Sequence, residues 1–323
     1  MSTRVFVRAG APVLSTRLGD LLADSDDIEL VVAGEAAEVV VDLRVGDHDG
    51  LGHRQSSATV EGEALMADVR ATGASRIVLV SSALVYGAQL NNPIPITEDA
   101  PLRPEPDFVY GRQLAAVEHV VDRWRRGAAG RSVAVLRPVV TVAAGATSSL
   151  ARALAAGSGQ RWGEEDPPAQ FLHLDDLAEA IAVVVRSGVD GPVNVAPDGW
   201  IPGDRVRALS GARWRVPLPG QLAEFVTALR WRFQRGPIPP GLGPYTRAPW
   251  VIANDRLRSL GWRPTVTNEQ AYVEGTEEPW WSSVTPKRRQ ELALSGAVAL
   301  IAVAVITAVL ITARAVRRAT PHR

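Results

Sequence analysis

The stretch Val78-Leu79-Val80-Ser81-Ser82-Ala83-Leu84-Val85-Tyr86-Gly87 decides how the rest of the chain is read. Its opening is apolar without polar alternation, the mark of a strand covered on both faces and so of a parallel sheet flanked by helices. Ligands of such sheets bind beyond the carboxyl ends of the strands, where Ser81 and Ser82 fall. Outward from it, strand-like runs at 4–8, 28–32, 38–43, 132–136 and 191–196 alternate with helical spacing at 12–23, 59–72, 110–124 and from Asp175 onward. That alternation belongs to a doubly wound α/β sheet. Asp175 is placed as the N-cap of its helix, and His173 is read as a hydrogen-bonded structural residue.

The composition narrows the possible partners. The 323 residues are 46% hydrophobic, enough for a large core. Thirty-five basic residues balance thirty-five acidic ones, but seven of the basic side chains lie in the last forty residues beside one acid, Glu291. The remainder is mildly acidic, which argues against nucleic acid as a partner. With no cysteine, disulfides and thiolate metal sites are excluded, and the five histidines are scattered without ligand spacing. Leu292 to Ala313 carries no charge and is bracketed by Lys287-Arg288-Arg289 and by Arg314, Arg317 and Arg318. At about 1.5 Å per residue it is long enough to cross a hydrocarbon layer of about 30 Å. The expectation is a single-pass anchor in the cell membrane over 292–313 with a basic tail at 314–323. The short Val5-Phe6-Val7 run is no signal-peptide core, which favours a cytoplasmic main domain. A further amphipathic stretch, Leu222 to Phe233, mixes basic and aromatic residues and suits packing of a small lobe, a substrate cleft or a membrane surface.

Four stretches then stand in one order: Val80 to Gly87, Tyr110-Gly111-Arg112-Gln113 running to Glu118, Leu136-Arg137-Pro138, and Phe171 to Leu177. In these the first two hundred residues resemble the extended short-chain dehydrogenase/reductase group, the NAD-dependent epimerase/dehydratase family. The resemblance implies a Rossmann-like NAD(P)-binding domain over residues 1–200, with 138–171 contributing to the cleft, and a smaller C-terminal substrate lobe over 201–285. It implies NAD or NADP as cofactor and a nucleotide sugar or related small molecule as ligand. Ser82 and Tyr110 match the family's serine, which holds the substrate oxygen, and its acid/base tyrosine.

The departures are as informative. The family's lysine, four residues after the tyrosine, is Leu114 here, and a phenol with an ordinary pKa near ~10 is a poor base at neutral pH without that cation. The glycine-rich turn that admits a pyrophosphate carries Ala9, Pro12 and Ser15 at its glycine positions. Gly10, Ala11, Leu14, Glu35 and Ser81 are the remaining candidates for cofactor contact, Glu35 being equally suited to a solvated loop. Strand three follows strand two almost at once, so an adenine-side element is missing. The leading expectation is a membrane-anchored family member without redox chemistry, acting as a binding or scaffolding module, with a homodimer or another protein as partner. Two alternatives stand beside it: an active NAD(P)-dependent epimerase, dehydratase or reductase with a non-standard cofactor site, and a non-catalytic nucleotide-sugar sensor.

Overall fold

The computed structural model describes residues 2–158, 166–210 and 240–276, all within the compact unit that ends at Glu278. The expected anchor at 292–313, the basic tail and the amphipathic stretch 222–233 lie outside these residues. Among the described residues no helix is long and apolar enough to cross a membrane.

The chain alternates as its pattern predicts: β1 (Thr3–Arg8), α1 (Pro12–Ala23), β2 (Ile28–Val31), β3 (Val39–Asp42), α2 (His48–His53), α3 (Ala58–Thr72), β4 (Arg76–Val80), α4 (Val109–Arg126) and β5 (Ser132–Pro138). There follow β6 (Val140–Val142), α5 (Ser149–Gly157), β7 (Phe171–His173), α6 (Leu174–Ser187), β8 (Gly191–Val195) and α7 (Gly203–Leu209). Three short helices close the described chain: α8 (Gly243–Arg247), α9 (Asp255–Ser259) and α10 (Asn268–Thr276). Six strands pair in parallel in the order β2-β1-β3-β4-β5-β8. The order reverses between β1 and β3, where a doubly wound sheet opens its ligand crevice.

Right-handed crossovers on either side of that reversal send α1 to one face of the sheet and α3 to the other. Helix α1 buries Leu14, Leu18 and Leu22 and packs with α6, while α3 packs with α4. Gly62 sets the closeness of that second pair, since a Cβ there would stand 2.8 Å from Val117. Ser57 caps α3 through the Val60 amide, and Gly73, at φ 70°, ends it in the left-handed conformation that glycine tolerates.

Between β2 and β3 there is no helix. Residues 32–38 cross the sheet edge directly, and β2 is left as a half-exposed outer strand. A second, two-stranded sheet of β6 and β7 supports a small cluster of Val142, Ala155, Phe171, Ile201, Val206 and Tyr272. Residues 140–157 and 169–173 thus pack with the described chain beyond 201.

The cap of α6 differs from expectation. Strand β7 runs into the helix with no intervening loop, so His173 is the N-cap and its ring accepts the Asp175 amide at 3.3 Å. Asp175 lies in the first turn, 3.2 Å from Arg17. Asp176 is buried and receives the Thr265 amide and hydroxyl at 2.9 and 2.6 Å and the Val266 amide at 3.1 Å, which pins the 262–268 segment to the sheet domain.

Candidate active site

At the carboxyl ends of β1, β3, β4 and β5 lies a cavity of about 150 Å³. Of the residues singled out by sequence, Ala11, Leu14, Ser81, Ser82 and Tyr110 line it. Gly10 sits beneath its floor, where a Cβ would come within 2.2 Å of the Leu43 carbonyl oxygen. The β1–α1 turn is thus pressed against the end of β3, and Arg44 ties the two together through the Ala9 carbonyl at 3.0 Å. Glu35 does not reach the cavity. It is exposed, accepts the Val32 amide at 3.3 Å and lies 3.7 Å from Arg4.

Pro12 occupies the first position of α1, and no side chain caps the helix. Proline suits that position sterically, but it removes one of the amide donors that a helix N-terminus offers an anion. Ser15, at a glycine position of the family turn, turns its hydroxyl inward to accept the Gly10 amide at 3.0 Å.

Tyr110 lies in the first turn of α4 and is buried. Its hydroxyl donates to the Val45 carbonyl at 3.3 Å, and its ring meets His48 and Phe108 edge to face. Burial drives its pKa far up, and the carboxylates of Asp47 and Asp49 push it further the same way. One helical turn on, Leu114 is wholly buried in the core. A cation at that place would lower the phenol's pKa; the hydrocarbon does the opposite.

Ser82, in extended backbone, accepts the Leu84 amide at 3.3 Å and starts the 3-10 turn Ala83–Tyr86. Ser81 donates to Glu118 at 2.6 Å. Glu118 holds Arg137 through two nitrogens at 2.7 and 3.1 Å, and Arg137 donates to the Tyr86 hydroxyl at 2.8 Å and stacks over its ring. Tyr86 in turn donates to Asn194 at 2.7 Å. Burial lifts Tyr86 to about 12, against the pull of Arg137. This chain of bonds ties β4, α4, β5 and β8 together directly under the cavity.

Two further charged groups escaped sequence reading. Arg8 ends β1 fully buried, paired with Asp42, its register partner on β3, with Asp68 at 2.6 Å and with Glu61 at 3.3 Å. Burial works against the Arg8 charge but the carboxylates hold its pKa up, and burial raises Asp42 against the pull of Arg8. Charged residues closing the apolar runs Val5–Val7 and Val39–Val41 were the available signal. Next in sequence to the lining residues His48 and Ser148, Asp49 of α2 accepts the Ser149 amide at 2.7 Å and is also bonded by the Ser149 hydroxyl, joining α2 to the start of α5. Burial alone would raise the Asp49 carboxyl, but the bonds from His48 and Ser149 bring it down to about 2. Nothing in the local sequence announces that contact, which spans a hundred residues.

The profile of the NAD dependent epimerase/dehydratase family matches residues 10–196. The chain belongs to this family. Curated relatives include uncharacterized proteins of Mycobacterium tuberculosis and Mycobacterium bovis, each 25% identical over 204 residues that cover 63% of this chain and 54% of theirs. The chain thus spans about half the length of these relatives. Among solved structures, RMD from Pseudomonas aeruginosa complexed with NADPH superposes with a TM-score of 0.59 at 16% identity, covering 84% of this chain and 97% of the other. UDP-glucose 4-epimerase of Thermotoga maritima with UDP-glucose gives 0.58 at 14% identity, covering 85% and 97%. A UDP-galactose 4-epimerase gives 0.56 at 20% identity, covering 85% and 97%. At these identities the likeness speaks for the Rossmann-like fold.

Proposed function

We propose that this family member carries out no hydride transfer and serves as a binding or scaffolding module, held at a membrane by residues 292–313. The observation that carries the reading is the state of Tyr110. Its proton is given to a backbone carbonyl, its neighbours are acidic, and Leu114 stands where the family places its lysine. A general base needs a pKa near the working pH, and every influence on this phenol moves it away.

The cofactor's binding surface is reduced in parallel, and the residues present do not fit a dinucleotide in the family's pose. Ligand pockets for molecules of drug size run from ~300 Å³ upward, and this cavity is about half of that. The turn has lost a donor at Pro12, the crossing at 32–38 replaces the element expected on the adenine side, and Glu35 is engaged elsewhere. NAD(P)-dependent chemistry and a nucleotide-sugar ligand are therefore not part of the proposal.

Titration of the purified full-length chain with NAD(H) and NADP(H), followed by tryptophan fluorescence and thermal shift, tests it. The expected result is no saturable response. A dissociation constant of ~100 μM or tighter, about 5.5 kcal/mol, overturns the proposal. For the anchor, a reporter fused after Arg323 is expected on the far side of the membrane from the main domain, and a reporter found in the cytoplasm contradicts that topology.

A further inference from the structure

We infer that the cavity retained at the strand ends binds a compact, mainly apolar molecule carrying a single carbonyl or hydroxyl oxygen. This rests on the reading above, that the cavity no longer serves a dinucleotide. Its wall is hydrocarbon, with Leu14, Leu43, Val80, Leu154, Leu174 and Leu177 contributed by five different segments. Among the described residues, no arginine or lysine lines it. Asp47 does, beside the His48 ring, so a phosphate or carboxylate would enter against a negative charge with no arginine or lysine among the described lining residues to offset it.

Size sets the scale of the occupant. An apolar cavity of about 150 Å³ takes a molecule of benzene's dimensions, which leaves room for one ring or a short branched chain. The polar groups set its chemistry. Tyr110, Ser81 and Thr141 have their hydroxyl protons committed to Val45, Glu118 and Val139. Ser82 and Ser148 are different, because each uses its oxygen to accept an amide, from Leu84 and Ala151, which leaves the hydroxyl proton available. Two such donors on a mainly hydrocarbon wall, Ser82 on the β4 side and Ser148 on the α5 side, select a neutral acceptor oxygen that either can reach. They give orientation without demanding charge.

The test uses the full-length chain in detergent, with acetophenone as the oxygen-bearing probe and toluene as its counterpart without oxygen. Thermal shift is recorded against concentration for wild type, Ala146→Leu, which fills the cavity from its rim, and Ser82→Ala. Acetophenone is expected to give a saturable rise in Tm whose half-saturation increases at least tenfold in Ala146→Leu. In Ser82→Ala it should increase roughly threefold to tenfold for acetophenone and remain unchanged for toluene, a contrast that partitioning into detergent cannot produce. The inference is overturned if wild type shows no saturable rise, or if Ala146→Leu and Ser82→Ala both leave the acetophenone half-saturation unchanged. If NADH saturates the protein instead, the proposal of a non-redox module falls with it; if UDP-glucose alone saturates it, this inference is lost and the nucleotide-sugar sensor reading replaces it. If no probe binds at all, that proposal stands and only this inference is lost.

Discussion

Glu118→Ala is expected to be among the most damaging single substitutions in the chain. The carboxylate is 4% exposed at its side chain and binds Arg137, 8% exposed, through two nitrogens. Its removal leaves a guanidinium in the core with only the Tyr86 hydroxyl and ring for company, and it leaves the Ser81 hydroxyl without an acceptor. Removing one partner of a buried pair costs about 3–5 kcal/mol, chiefly because the other charge cannot return to water. For a domain of this size each kcal/mol lowers Tm by about 2–4 °C, so a fall of roughly 6–20 °C is expected. Replacing both partners by hydrocarbon, Glu118→Leu with Arg137→Met, removes the stranded charge as well as the pair. The double variant should therefore be more stable than the sum of the two single losses by at least about 2 kcal/mol. Thermal and urea unfolding of wild type, Glu118→Leu, Arg137→Met and the double supply the four values of the cycle, and Glu118→Ala is measured beside them. A loss below about 1 kcal/mol for Glu118→Ala, or strict additivity, would refute the assignment of this pair as the tie beneath the cavity.

Other substitutions and titrations test separate parts of the structure. Gly10→Ala forces a Cβ against the Leu43 carbonyl and should cost about 1–3 kcal/mol, read by urea unfolding; a neutral outcome would mean that the turn is not pressed onto β3. All four tyrosines have raised pKa values in the folded state, so absorbance near 295 nm should show no tyrosinate at pH 10 until the chain is unfolded. Because each folded value lies above the unfolded one, their contribution to stability is complete below about pH 10 and is lost as pH rises beyond it. Asp49, held down at about 2, behaves in the opposite sense: its contribution is present above about pH 4 and disappears as pH falls toward 2. A carboxyl-carbon NMR titration of Asp49 with its midpoint near 4 would show that the α2–α5 contact does not form.

The strands were legible because five of the six in the main sheet carry unbroken apolar runs or end at recognisable turns. The helices were legible from their spacing and from stops such as Gly73. The absence of a helix between β2 and β3 could be read from the mere six residues separating Val32 from Val39. What could not be read were contacts made by polar side chains across long sequence distances. Asp176 looks like a capping residue because it opens a helix, and only the folded chain reveals that its carboxylate gathers Thr265 and Val266. Strand β7 is three residues long, too short for alternation to show, and so the sequence pattern places the cap two positions late. Ser82 and Tyr110 were found from the family pattern and do meet at one cavity. The commitment of Tyr110 to Val45 depends on a loop whose path no local pattern specifies.

Helix α10 is the last described element before the chain continues toward the anchor candidate. It packs on β7, β6 and α5, and Gly275 lets it lie so close to Val142 that a Cβ would stand 2.4 Å away. Thr147 bonds the Gly275 carbonyl at 3.3 Å, and Glu274 lies 3.2 Å from His173, the residue that starts α6. Tension on the chain beyond Thr276 thus enters the molecule through the small sheet and through α5 and α6, whose leucines form the cavity wall, before it can load the six-stranded sheet. A tug at that end would deform the cavity first and leave the main scaffold standing, so the point where the described chain ends and the cavity are mechanically in series.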